Sequence, residues 1–192
     1  MNNKIKIALA VFAVNIFVVV SCNGEKHEDA KSEAETHNEA KFENKNSEKD
    51  AQFLVDAAEI NLEEIKLGHL AYIKGEKEGV RDLGKMMETS HQKCFDELKT
   101  LAQKKSITVP LEISEKGQED YNTFSNKPSV DFDKDYCDKM IDGHKAAISK
   151  FEKASVDCTD PEIKEWALKT LPELRTHLDH AISCKERCKK HS

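Results

Sequence analysis

The chain has 192 residues, 30 basic and 36 acidic side chains, and a formal net charge of −6, a length that suits one ordinary domain with appendages. Only 7 glycines and 4 prolines exclude collagen-like and loop-rich designs, and 34% charged against 38% hydrophobic residues suits exposed amphipathic helices better than stacked sheets. The acidic sum argues against a nucleic-acid partner held by a basic face, and no Gly-rich phosphate loop or Ser or Cys nucleophile motif appears.

Residues 1–22 read as an export signal rather than as part of the fold. Met1 to Lys6 carries two lysines, residues 7–20 are apolar except for Asn15, and the run ends Val19-Val20-Ser21-Cys22. A basic start, a short apolar stretch and a small residue before the cut describe a secretory signal. The cysteine at the cut resembles a bacterial lipobox, with Val19 in place of the more usual Leu. Cys22 is therefore the expected lipidation site and a lipid anchor the expected membrane contact. The expected location is the bacterial cell envelope, at the periplasmic or surface face of the outer membrane. Residues 23–50 hold nine acids, five lysines and one aromatic, Phe42. Such a segment buries too little apolar surface to offset chain entropy and is expected to be a disordered charged tether. His27 and His37 within it read as solvated.

From Ala51 the pattern turns helical, with four long helices expected at 51–74, 79–105, 131–156 and 161–188 of one domain spanning 51–190. Lys74, Gly75 and Gly79 mark the first turn. Asp160 is a natural N-cap before Pro161, a natural first helical residue. Residues 106–130, with Pro110 and Pro128, form a connection long enough to cross a bundle, with a short helix expected near 114–124.

Apolar residues at alternating steps of three and four mark the buried stripe of each helix. The four stripes run through Phe53 to Ala71, Val80 to Leu101, Cys137 to Ala154 and Ile163 to Cys184. Each is interrupted near its middle by an ionisable residue: Glu64, His91, His144 and His177. Glu64 lies eleven residues before Gly75 and His91 twelve after Gly79, so at ~1.5 Å per residue they share a height. His144 and His177 lie thirteen residues before Asp157 and seventeen after Asp160, about one turn out of register.

Burying such groups unpaired costs several kcal/mol, so they need partners. Two readings remain open. In one, the layer is a hydrated register device in which Glu64 pairs with a protonated histidine. In the other it is a metal site, with Glu64 the anionic ligand and the three histidines nitrogen ligands. That donor set suits iron, zinc, copper or manganese. A di-iron bundle wants a Glu from each of two helices and a Glu-x-x-His from each of the others. Only Glu88-Thr89-Ser90-His91 has that spacing; Glu173 and His177 are one residue further apart, and the third helix offers only Asp142. A single ion is expected over a dinuclear centre. Pro172, five residues before His177, removes one backbone bond and is expected to kink the last helix.

Cysteine spacing adds a second relation. Cys137 is seven residues before His144 and Cys184 seven after His177. In antiparallel helices, if those histidines meet, the cysteines meet two turns away, so a Cys137–Cys184 disulfide is expected in an oxidising compartment. Cys184, Cys188 and His191 could instead bind a soft metal, although residues 185–190 read more simply as a frayed basic tail.

The arrangement resembles the domain of unknown function 4142 family, often labelled predicted outer membrane protein and similar to ferritin-like four-helix bundles. The residues that carry the resemblance are Phe53 and Glu64, Met87 with Ser90-His91, Phe132-Asp133 with Tyr136 and His144, and Leu171-Pro172-x-Leu174-x-x-His177-Leu178. Ser90 stands where the family has Asp, which removes a carboxylate. The resemblance implies an all-α, ferritin-like four-helix bundle and an exported location, and supplies no reaction. Two functions of different class follow: transition-metal binding in the Glu64/His91/His144/His177 layer, or a non-catalytic structural or interaction module of the envelope. Redox chemistry at the cysteines is a weaker third.

Overall fold

A computed structural model describes residues 29–190, with side chains through Cys188. The expected signal, the lipidation site Cys22, His27 and His191 lie outside the described residues. Six helices follow one another: α1 (Ala30–Lys41), α2 (Lys45–Lys74), α3 (Glu78–Lys105), α4 (Glu115–Ser125), α5 (Ser129–Asp157) and α6 (Pro161–Lys190). No strand occurs among the described residues, so the domain is all-α. No helix among them is long and apolar enough to cross a membrane.

The long helices pack as two hairpins, α2 with α3 and α5 with α6, and the hairpins meet through α3 against α6 and α2 against α5. Gly68 and Gly84 let α2 and α3 approach backbone to backbone. A Cβ on Gly68 would lie 2.7 Å from the Gly84 carbonyl oxygen, and one on Gly84 would lie 2.6 Å from that of Gly68. As read from sequence, Asp160 caps α6, its Oδ1 accepting from the N–H groups of Glu162 and Ile163 at 2.9 and 3.1 Å. The α6 helix continues through Pro172, and the Leu168 carbonyl that loses its donor there sits on a residue 59% exposed.

The tether expected at 23–50 is corrected where the structure describes it. Residues 30–41 form α1, and α2 begins at Lys45 rather than Ala51. The order comes mostly from hydrogen bonds and ion pairs, with buried Ala34 and partly buried Phe42 adding a little apolar contact. Asp29 caps α1, accepting from Lys31 and Ser32, and its Oδ2 also accepts from the Glu115 N–H. Buried Asn38 makes a two-point contact with the backbone of Thr108, donating to its carbonyl at 2.7 Å and accepting from its N–H at 2.9 Å. Lys31 pairs with Asp56 of α2 at 2.9 Å. The 106–114 connection is fastened in the same way. Buried Glu59 of α2 accepts from the Ser114 N–H at 3.0 and 3.1 Å, and from its hydroxyl.

Two apolar clusters fill the interior. One holds Phe53, Leu54, Phe95, Leu98, Phe151, Ile163, Leu171 and Leu174. The other holds Leu67, Val80, Leu83, Met87, Phe132, Tyr136, Met140 and Ala181. On every long helix the residues between the two clusters are polar: Asn61 and Glu64, His91, His144, His177. The sequence that alternates three and four apolar steps thus builds a core in two compartments with one ionisable floor between them.

Candidate metal centre

All four ionisable residues are buried: Glu64 is 7% exposed, His91 2%, His144 1% and His177 3%. His91 comes from α3, His144 from α5 and His177 from α6, and one ring nitrogen of each lies within 4.8 Å of the others, so the three could hold a metal ion. His144 Nε2 is 3.4 Å from His91 Nε2 and 3.3 Å from His177 Nδ1. Two ligands at ~2.0–2.1 Å on a tetrahedral ion are about 3.3–3.4 Å apart, so these separations are those of a shared ion.

The outward nitrogens fix two of the three tautomers. His144 Nδ1 donates to the Met140 carbonyl at 2.8 Å, the carbonyl one turn back on its own helix. His91 Nδ1 donates to Asn61 Oδ1 at 3.0 Å, and the Asn61 amide is oriented because its Nδ2 donates to the Ala57 carbonyl at 2.7 Å. His177 Nε2 lies 3.9 Å from Glu173 Oε1, too far for a hydrogen bond. With those two protons placed, Nε2 of His91 and Nε2 of His144 carry lone pairs that face each other, and Nδ1 of His177 lies 3.3 Å from the second of them. Outer hydrogen bonds of this kind orient the imidazoles of metal sites.

Electrostatics keep the rings neutral. Burial lowers the His144 pKa, and burial with the adjacent His144 lowers His177 to about 4. Burial, then His144 and His177, hold His91 well below its ordinary value. Neutral imidazole is the ligating form.

Glu64 takes a different place from the one expected. Its Oε1 is 3.8 Å from His144 Nδ1, the nitrogen already bonded to Met140 and turned away from the other two rings. Its Oε2 has no hydrogen-bond partner. Burial, then the charge of Glu63, pushes its carboxyl up to about 8. Glu64 therefore reaches the layer without joining the nitrogen trio, and it lacks the protonated histidine that a register ion pair requires. The further carboxylates point elsewhere. Glu88 pairs outward with exposed His69 at 3.1 Å, and Asp142 is exposed. A dinuclear carboxylate centre has no ligand set among the described residues.

Asn61 is the residue that sequence reasoning passed over. It is 2% exposed and sits four residues after Ala57 and three before Glu64, on the buried face of α2. A polar residue one turn from an interruption of the stripe was the available signal. The cysteines expected to bridge, Cys137 and Cys184, are both buried, with sulfurs 3.4 Å apart and each a free thiol. Cys188, read as part of a frayed tail, is buried beside them on a helix that runs to Lys190.

A helical bundle whose two apolar clusters are separated by three converging neutral histidines defines an all-α protein with a candidate metal centre at mid-bundle. The family model for the domain of unknown function DUF4142 matches residues 35–183, and the chain belongs to that family. Among solved structures it is similar to a DUF305 fragment from Deinococcus radiodurans, with 14% identity and a TM-score of 0.63, covering 72% of this chain and 95% of that one. At that identity the likeness concerns the fold alone. Comparison with curated proteins gives no match.

Proposed function

We propose that the chain is a cell-envelope lipoprotein, anchored through Cys22, whose ferritin-like four-helix domain binds one transition-metal ion at His91, His144 and His177. The observation that carries the metal reading is the convergence of three buried ring nitrogens within 4.8 Å, two of the rings having their outer N–H bonded to Asn61 and Met140. The lone pairs of His91 Nε2 and His144 Nε2, 3.4 Å apart, repel unless a cation or a proton lies between them, and burial disfavours the proton. Three imidazoles without a carboxylate suit zinc or copper better than manganese, which prefers oxygen ligands. An ion held in a closed, buried site suits sequestration, sensing or protection from metal stress better than catalysis. The Val19-Val20-Ser21-Cys22 ending and the basic start support the anchor.

The test is elemental analysis of the full chain purified in detergent without an affinity tag, beside His144→Ala/His177→Ala. Loss of one metal ion per chain in the double variant is the expected result. No metal in either, after loading with iron, zinc, copper and manganese in turn, would leave a structural or interaction module with a polar layer. Palmitate labelling tests the anchor, and labelling that persists in Cys22→Ala would overturn it.

A further inference from the structure

A second donor cluster lies at the α2–α3 turn end of the bundle. Cys137 of α5 and Cys184 and Cys188 of α6 are 0%, 1% and 8% exposed. Their sulfurs all lie within 4.8 Å of one another. Cys184 and Cys188 are one helical turn apart and share a face; Cys137 meets them across the α5–α6 seam. Lys77 Nζ donates to the Cys188 carbonyl at 2.6 Å. The neighbouring carboxylate of Asp133 has both oxygens occupied by the N–H groups of Glu76 and Lys77.

We propose that Cys137, Cys184 and Cys188 form a second, three-thiolate site for a soft monovalent cation of the copper(I) class. Thiolate ligands select copper(I) and zinc among the common ions. Three sulfurs at ~2.3 Å around one ion are about 4 Å apart, a spacing the cluster already spans. Structural zinc sites take four protein ligands, and among the described residues no fourth His, Cys, Asp or Glu joins these three. Three thiolate donors suit the lower coordination of the monovalent ion. Each thiol that ligates releases its proton to solvent, and no electron is transferred. Seven residues of helix, about 10 Å, separate this site from the histidine layer along both α5 and α6, so each site holds its own ion.

The test is a titration of the reduced, full-length chain with copper(I) under argon, against a chromophoric copper(I) chelator. It is run in His91→Ala/His144→Ala/His177→Ala, where the histidine layer is gone, and zinc is titrated in parallel. One copper(I) per chain is expected there, with zinc bound at least tenfold more weakly. Adding Cys137→Ser/Cys184→Ser/Cys188→Ser should abolish copper(I) binding. A second measurement needs no variant to fold: copper(I) bound to the unaltered chain should shield these three cysteines, but not Cys158, from alkylation mapped by peptide. The proposal is overturned by absence of copper(I) binding in the histidine variant, by binding that survives the cysteine changes, or by alkylation at the metal-free rate. It is equally overturned by tighter zinc binding, or by a Cys137–Cys184 disulfide in protein alkylated inside intact cells.

Discussion

Asp50 and Asp133 are exchanged between the two hairpins, each carried by one hairpin and bonded to the turn of the other. Asp50 of α2 accepts from the N–H groups of Thr159 and Asp160 and from the Thr159 hydroxyl, between α5 and α6. Asp133 of α5 accepts from the N–H groups of Glu76 and Lys77, between α2 and α3. The two aspartates head matching stretches. Each is followed three residues later by a buried aromatic, Phe53 or Tyr136, and eleven residues later by a polar member of the layer, Asn61 or His144. The reciprocal caps lock the register of one hairpin against the other, which is what brings His144 level with Asn61 and His91.

Replacing either aspartate by Ala strands buried or half-buried backbone donors. Loss of a charge-assisted bond, with a donor left unsatisfied, costs ~1.5–3 kcal/mol. Asp50→Ala and Asp133→Ala should each lower the urea midpoint accordingly. Because the two caps share no partner, the double variant should show the sum of the two effects.

Asn61→Ala should leave metal stoichiometry intact while weakening affinity by ~10–100-fold, the usual effect of losing an orienting partner. Competition with a chelating dye measures it. An unchanged affinity would mean that the Asn61 contact does not set the ring of His91.

Glu64→Gln should keep the bound metal, because Glu64 approaches only the outward nitrogen of His144. Its effect should appear in the metal-free protein as a pH dependence of stability. The carboxyl titrates at about 8 in the folded chain, against an ordinary value of 4.5. Between those values the unfolded chain ionises and the folded chain does not, so Glu64 erodes stability as pH rises from about 4.5 to about 8 and adds no further slope above. The difference in melting temperature between Glu64→Gln and the unaltered chain should therefore grow through that window and then level off.

Gly68→Ala places a Cβ 2.7 Å from the Gly84 carbonyl oxygen, a backbone atom that cannot move without separating α2 from α3. Overpacking of this kind costs ~1–3 kcal/mol. Gly79→Ala is the contrasting change, since its Cβ would meet only the Arg187 side chain at 3.6 Å. Within the first turn of α3 it should be neutral or stabilise by ~0.5–1 kcal/mol. Chemical denaturation of the two variants separates local crowding from a general intolerance of the α2–α3 hairpin.

The stripes of apolar residues were enough to place α3 and α6 within one or two residues of where they begin, and to put His91, His144 and His177 inside. Periodicity reports which face of a helix is buried, and these three lie on that face. It does not report which ring nitrogen faces which neighbour. That is why Glu64 reads as a ligand from sequence while the folded chain turns it toward the outer nitrogen of His144. Asn61, which orients His91, falls on the buried face four residues after Ala57 and three before Glu64, but periodicity does not say which neighbour its amide bonds. The α1 helix was illegible for another reason: its order rests on Asn38 meeting the Thr108 backbone and Asp29 meeting Glu115, contacts between segments far apart in sequence. Hydropathy measures the apolar surface a segment can bury, and α1 is held mostly by something else.

Placing the polar floor between two apolar compartments also decides how the bundle reports its surroundings. The three rings belong to α3, α5 and α6, while α2 touches the trio through Asn61. An ion seated there would clamp three of the four long helices at mid-height and draw the fourth in through one amide. A ligand that favours the folded chain adds ~2.7 kcal/mol at a hundred times its dissociation constant. That is a sizeable share of the ~5–15 kcal/mol that holds an ordinary domain together. The lifetime of this chain against proteolysis would then rise and fall with metal supply, making its abundance a gauge of that supply without a separate signalling step.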